Sequence, residues 1–270
     1  WYNTAHMGET GEMQTKRIRR ESAPYTNASS PTGRCLIINN FDFYPRMPNR
    51  YGTVHDVDRL KRVFTRFKYI VCVKNDLTAG AIRKTLTEES TQDHADSFVL
   101  VILSHGAVDA VYGVDGKTVP YKEIYNYFNG ENCKKLAGKP KIIIFQACQS
   151  SREDDGVTSH ERSVDCSVQQ VEADSSAASL PMADFLIGYA TTENYSAQRV
   201  ISAGTWFIQE MLNIFEKHAV EEDILTMSSK INALVADRSI STGEKQMPYF
   251  RSSLRKKFYF NPPDIDAMNI

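Results

Sequence analysis

An excess of charge of either sign is missing from this chain: 32 basic residues face 33 acidic ones, a formal net charge of −1. Nucleic-acid binding therefore draws no electrostatic support from the chain as a whole. Two brief basic runs, at residues 16–20 and 255–257, read as a solvated tail and a strand edge. No apolar run approaches the roughly 18 residues of a membrane span, and the N-terminus carries no signal-peptide core. Cysteine is scarce. The five cysteines are an odd number, and no two are separated by only two residues, which removes a Cys-X-X-Cys redox pair or zinc knuckle. An oxidised secreted scaffold does not suit this length and count. No pair of histidines has metal-ligand spacing. There is no Gly-X-Gly-X-X-Gly after the first apolar run and no Walker run, so a nucleotide- or phosphate-binding protein has little support. Neither a metal nor another cofactor is expected. Internal repeats are absent too. A chain that opens at Trp1 rather than methionine leaves an upstream region open.

What is present is a globular composition, 41% hydrophobic and 24% charged over 270 residues, large enough to build a core without disulfides. Residues 1–32 are polar, hold Pro24 and Pro31, and read as an irregular tail. Cys35-Leu36-Ile37-Ile38 is a first buried strand between Gly33 and Asn39-Asn40. Residues 54–67 place Val54, Val57, Leu60, Val63, Phe64 and Phe67 three and four apart, which makes a helix with one apolar stripe. A strand at 69–73, a helix from Ala79 capped by Thr78, a strand at 98–103, a helix at 121–128 and a strand at 142–145 follow. Beyond a polar, serine-rich stretch come a strand at 183–190, helices at 206–218 and 224–235, and a last strand at 257–260 closed by Pro262-Pro263. Cys35 and Cys72 read as buried small hydrophobes, while Cys133 and Cys166 lie in polar surroundings. The alternation predicts an α/β fold: three layers, with a mostly parallel central sheet flanked by helices. Four regions follow: a tail at 1–32, a large region at 33–149, a flexible linker at 150–179 and a small region at 180–270.

Two of these strands end on reactive side chains. Cys148 follows Ile142-Ile143-Ile144-Phe145, and His105 follows Val99-Leu100-Val101-Ile102-Leu103. Open α/β sheets gather their reactive groups at the carboxyl ends of strands. A thiol and an imidazole meeting there are the minimal equipment for covalent acyl transfer. His105 would hold Cys148 as thiolate or return a proton to the leaving amine. The backbone N–H groups of Gly106 and Cys148 would face the oxyanion. A working free thiol suits a reducing cytoplasm.

The run Gln146-Ala147-Cys148-Gln149 resembles the active-site signature of the caspases, which includes an upstream histidine. Five further stretches resemble that family in its order: residues 35–40, Asn49-Arg50-Tyr51-Gly52-Thr53, Leu103-Ser104-His105-Gly106, residues 204–209 and residues 256–260. The texture is similar to that of the nematode cell-death member. The resemblance implies a cysteine endopeptidase that cuts after aspartate, with a role in programmed cell death. His105 and Cys148 take the catalytic parts, and Gly106 supplies an oxyanion N–H. Arg50, Gln146 and Arg199 would line a pocket for the substrate aspartate, whose carboxylate asks for a guanidinium fork. Arg46 is the alternative to Arg50 if the loop register shifts.

Two departures from the family pattern stand out. Gln149 and Ser150 replace the usual arginine and glycine after the nucleophile. Ala197-Gln198-Arg199-Val200 puts Gln198 where the family shows an aromatic wall and Ala197 where it shows serine. A weak or inactive homologue acting as a binding or regulatory partner is therefore the second reading. The resemblance also implies that the 150–179 linker is cut, after Asp174 or Asp165, to activate the enzyme. The partners implied are peptide or protein substrates with aspartate at the cut, and a second processed unit paired through the edge strand expected at 257–260.

Overall fold

The computed structural model describes residues 23–149, 181–192, 197, 199–238 and 245–260. The order of elements is β1 (Gly33–Asn39), α1 (Thr53–Arg66), β2 (Tyr69–Asn75), α2 (Ala79–Ser90), β3 (Ser97–Leu103), β4 (Gly106–Ala107), β5 (Ala110–Tyr112), β6 (Thr118–Pro120), α3 (Tyr121–Asn126) and β7 (Lys141–Gln146). After residue 180 come β8 (Phe185–Tyr189), β9 (Arg199–Val200), β10 (Gly204–Thr205), α4 (Trp206–His218), α5 (Ile224–Asp237) and β11 (Tyr249–Ser252). The main sheet runs β11-β8-β7-β3-β1-β2. Its five strands from β8 to β2 are parallel, and β11 lies antiparallel to β8.

Strand residues alternate between two cores, as the two-residue period of a pleated sheet requires. Cys35, Ile37, Val99, Val101, Ile142 and Ile144 face one side, where α1, α4 and α5 cover them. Leu36, Ile38, Leu100, Ile102, Ile143 and Phe145 face the other, under α2 and α3. Burial on both faces explains the unbroken apolar runs in the sequence. Each such side chain stabilises the fold by about 1.5–3 kcal/mol before entropy is counted. Thr78 caps α2 as expected, its hydroxyl accepting the Ala81 N–H at 3.2 Å.

The last strand expected at 257–260 does not form. Those residues instead drive two aromatic rings into the core: Phe258 and Phe260 are fully buried, and Phe260 lies 4.9 Å from Phe67 and 4.9 Å from Phe215 between ring centroids. The sheet edge is β11, a four-residue strand too short and too polar at Arg251-Ser252 to stand out in the sequence. Val54 sits outside the stripe of α1 and is exposed. Cys72, on the edge strand β2, is only half-buried, while Cys133 is buried despite its polar neighbours in sequence.

Residues 23–32 are irregular but not loose. Tyr25 N–H donates to the Lys257 carbonyl at 2.9 Å, and its phenol donates to Asp184 at 2.6 Å. Asn27 donates to the carbonyls of Tyr259 and Phe260. Among the described residues, no helix is long and apolar enough to cross a membrane.

Candidate active site

The sheet register brings the two reactive residues together. In the parallel β3/β7 pair, Leu103 stands opposite Gln146. His105 and Cys148 each lie two residues beyond that pair, at the carboxyl ends of neighbouring strands about 4.8 Å apart. They share one cavity of about 180 Å³ with Arg50, Ser104, Gln146, Ala147, Ala197 and Arg199.

The imidazole is held in one tautomer. His105 Nε2 lies 2.8 Å from the Pro48 carbonyl oxygen. A carbonyl only accepts, so Nε2 carries the hydrogen and Nδ1 is left with its lone pair. The ring also stands edge-on to Phe43, with centroids 4.7 Å apart. Burial lowers the His105 pKa; the Pro48 contact works against this, and the charges of Arg50 and Arg199 add to the lowering. The neutral, proton-accepting form is thereby favoured. Cys148 is a free, half-buried thiol whose sulfur accepts the Ala197 N–H at 3.4 Å.

Gly106 packs directly against the backbone of Cys148. A Cβ placed there would come within 2.2 Å of the Cys148 carbonyl oxygen and 2.8 Å of the Ala147 Cβ. Only a residue without a side chain lets these two segments approach so closely.

The floor of the cavity is cationic. Arg50 is 2% exposed and donates through Nη1 to the Asn40 carbonyl at 3.2 Å and the Thr53 hydroxyl at 3.5 Å. No carboxylate among the described residues forms an ion pair with it or with Arg199. Burial pulls Arg50 down to about 9, with the like charge of Arg199 adding to the shift and Asp56 opposing it. Arg199, on β9, is also pulled down, again mainly by burial. Buried Gln146 points an acceptor oxygen, Oε1, that has no partner among the described residues. Its carboxamide can turn over and present N–H instead. Two guanidinium groups and an amide around a void are fitted to a small carboxylate. Arg46 takes no part in the cavity: it is exposed and lies against Gly116.

Gln149 is buried beside Cys148 and donates to the Thr191 carbonyl at 2.6 Å. The side chain that replaces the family's arginine thus ties the thiol-bearing turn to the end of β8. Gln198, Ser150, Asp165 and Asp174 lie outside the described residues. Two supports of the site escaped the sequence reading. One is the Pro48 carbonyl, which no pattern announces. The other is Asp56, which had a signal: it is an acid inside the apolar stripe of α1, and it is buried.

Comparison with known proteins returns one family. The family model described as "Caspase domain" matches residues 32–259. The chain is 36% identical to "Cell death protein 3" of Caenorhabditis remanei over 92% of its own length and 54% of that protein. It is 36% identical to "Caspase-6" of Gallus gallus, covering 85% of this chain and 81% of that one. Identity to "Caspase-8" of Mus musculus is 34%, over 96% of this chain and 57% of the other. The chain spans about half the length of the first and third of these relatives.

Proposed function

The chain belongs to the caspase family of cysteine peptidases, and we propose that it cleaves peptide bonds after aspartate, with Cys148 as nucleophile and His105 as base. The observation that carries this reading is the buried Arg50, which shares the cavity of Cys148 with Arg199 and has no carboxylate of its own among the described residues. A buried cation without a directly paired anion is costly, and a substrate carboxylate would relieve that cost.

Nδ1 of His105 takes the thiol proton as the Cys148 sulfur attacks the carbonyl carbon of the aspartate itself. The carbonyl oxygen gains the negative charge, and the N–H groups of Gly106 and Cys148 stabilise it. The imidazolium then returns its proton to the leaving amine, and the C–N bond breaks to leave a thioester. Water, deprotonated by His105, attacks that thioester. A carboxylate product and the free thiol are released.

The same reading extends to regulation. Cleavage after Asp174 or Asp165 would separate a large unit from a small one that still share a single sheet. Pairing of two processed units would use the exposed edge of β11, in place of the strand expected at 257–260. A part in programmed cell death and a cytoplasmic location complete the proposal, the former supported by the name of the nematode relative. The alternative of an inactive homologue rests on Gln149, which donates to the Thr191 carbonyl while its buried Oε1 has no partner among the described residues.

The test is steady-state cleavage of matched peptides ending in aspartate or asparagine before the scissile bond. Cys148→Ala should abolish turnover and keep the fold. The asparagine peptide should be cut at least about a hundredfold more slowly, in line with losing charge-assisted bonds to two arginines. Substantial cleavage by the Cys148→Ala variant, or equal cleavage of the two peptides, would overturn the proposal. Intact-mass analysis, together with an uncut Asp165→Ala, Asp174→Ala double variant, addresses processing: full activity of the uncut variant removes that part.

A further inference from the structure

Asp56 has no exposed surface, and its negative charge opposes the burial-driven lowering of both Arg50 and Arg199. It touches neither guanidinium by hydrogen bond. Its oxygens are engaged elsewhere. Oδ1 and Oδ2 accept the Thr205 backbone N–H at 3.0 and 3.1 Å, and Oδ1 accepts the Gln209 side-chain amide at 2.8 Å. Thr205 is the cross-strand partner of Arg199 in the β9/β10 hairpin. The hairpin approaches so closely that a Cβ on Gly204, at φ 92°, would meet Asp56 Oδ1 at 2.3 Å. Gln209 is fixed in turn, because its Oε1 accepts from Arg59 at 2.9 Å.

We propose that Asp56 is the positioning residue of the carboxylate pocket: it clamps the hairpin that carries Arg199 and offsets the charge of both arginines without taking up their hydrogen-bond donors itself. The inference rests on the aspartate-directed reading above. Its physical logic is a compromise between two failures. A carboxylate paired directly with Arg50 would fill the pocket and compete with substrate. No carboxylate at all would leave two like charges buried together, which burial and mutual repulsion both disfavour. A carboxylate one residue removed, held by a backbone N–H and an amide, satisfies both conditions. Asp56 does not reach the reacting atoms, and its effect passes through Arg199 and Arg50.

Asp56→Asn tests this directly. The asparagine keeps an oxygen for the Thr205 N–H and removes the charge. A second variant, Asp56→Asn with Gln209→Glu, keeps one acceptor for the Thr205 N–H, keeps the 56–209 hydrogen bond with its direction reversed and restores the net charge, but moves the carboxylate toward Arg59. Wild type and both variants are assayed on the aspartate and asparagine peptides, with a melting curve for each. In the single variant, KM for the aspartate peptide should rise about tenfold, with kcat changing less than about threefold, so that the aspartate-to-asparagine ratio of kcat/KM narrows by the same factor of about ten. The double variant should regain melting temperature but only part of that ratio. A merely structural residue would lower the rates on both peptides alike, in step with melting, and that outcome overturns the proposal. So does an unchanged ratio in the single variant, or its full recovery in the double one. A wild-type ratio near one would instead remove the aspartate-directed reading, a failure visible before any variant is made.

Discussion

Gly106→Ala is the sharpest probe of how the thiol is placed. The added Cβ would stand 2.2 Å from the Cys148 carbonyl oxygen, 2.8 Å from the Ala147 Cβ and 3.2 Å from the Ala110 carbonyl oxygen. Non-bonded carbon contacts settle near about 3.5 Å, so one segment must retreat by roughly 1 Å. The β3 and β7 strands are locked in a six-residue parallel register and buried on both faces, so they will not yield. The retreat falls on the turn that carries Cys148 or on the short β4 strand. Either moves the sulfur relative to the N–H groups proposed to stabilise the oxyanion. A displacement of that size costs roughly 100-fold in rate. Overpacking of a tight site destabilises by about 1–3 kcal/mol, a loss of several degrees in melting temperature for a chain this long. The expected result is therefore a kcat/KM lowered about 100-fold in a protein still folded at 25 °C. Steady-state assay of the aspartate peptide and a calorimetric melt measure the two quantities separately. Activity within about threefold of wild type, with melting lowered as expected, would refute the reasoning, because it would mean that the strain is absorbed without moving the thiol.

Two further predictions concern protonation and the N-terminal segment. Burial lowers the His105 pKa, and the free base is the working form, so the acid limb of kcat/KM should fall below the ordinary histidine value of about 6.5; a limb at or above that value would contradict the assigned environment. Tyr25→Phe removes the phenol that donates to Asp184 at 2.6 Å and accepts the Arg255 N–H at 2.9 Å. Buried Asp184 then keeps only its Arg255 bonds, and urea denaturation should show a loss of about 1–3 kcal/mol; no loss would mean that residues 23–28 merely lie on the surface.

Much of the architecture was legible in the chain because the parallel strands are buried on both faces. Ile142-Ile143-Ile144 and Val99-Leu100-Val101-Ile102-Leu103 have no polar face to offer, and only a sheet covered on both sides accepts such runs. The reactive pair was legible for the same reason, since Cys148 and His105 sit just past the ends of those runs. Residues 257–260 show where local pattern misleads. A run of three consecutive aromatics suits a strand or a plug equally well, and packing of Phe260 against Phe64, Phe67 and Phe215 decided for the plug. The true edge, β11, has too little apolar content to announce itself, and its pairing with β8 is a contact between residues about 60 positions apart.

The sequence by itself determined the layers, the strand ends and the identity of the thiol and imidazole, because these depend on side-chain chemistry and on periods of two and 3.6 residues. Tertiary structure alone decided three things: the tautomer of His105, set by the Pro48 carbonyl 57 positions away; the cationic cavity, set by bringing Arg50 beside Arg199; and the grip of Asp56 on Thr205 across 149 positions. Each brings together polar groups from distant segments. Such contacts leave no period in the chain, and their strength depends on how far burial has removed competing water.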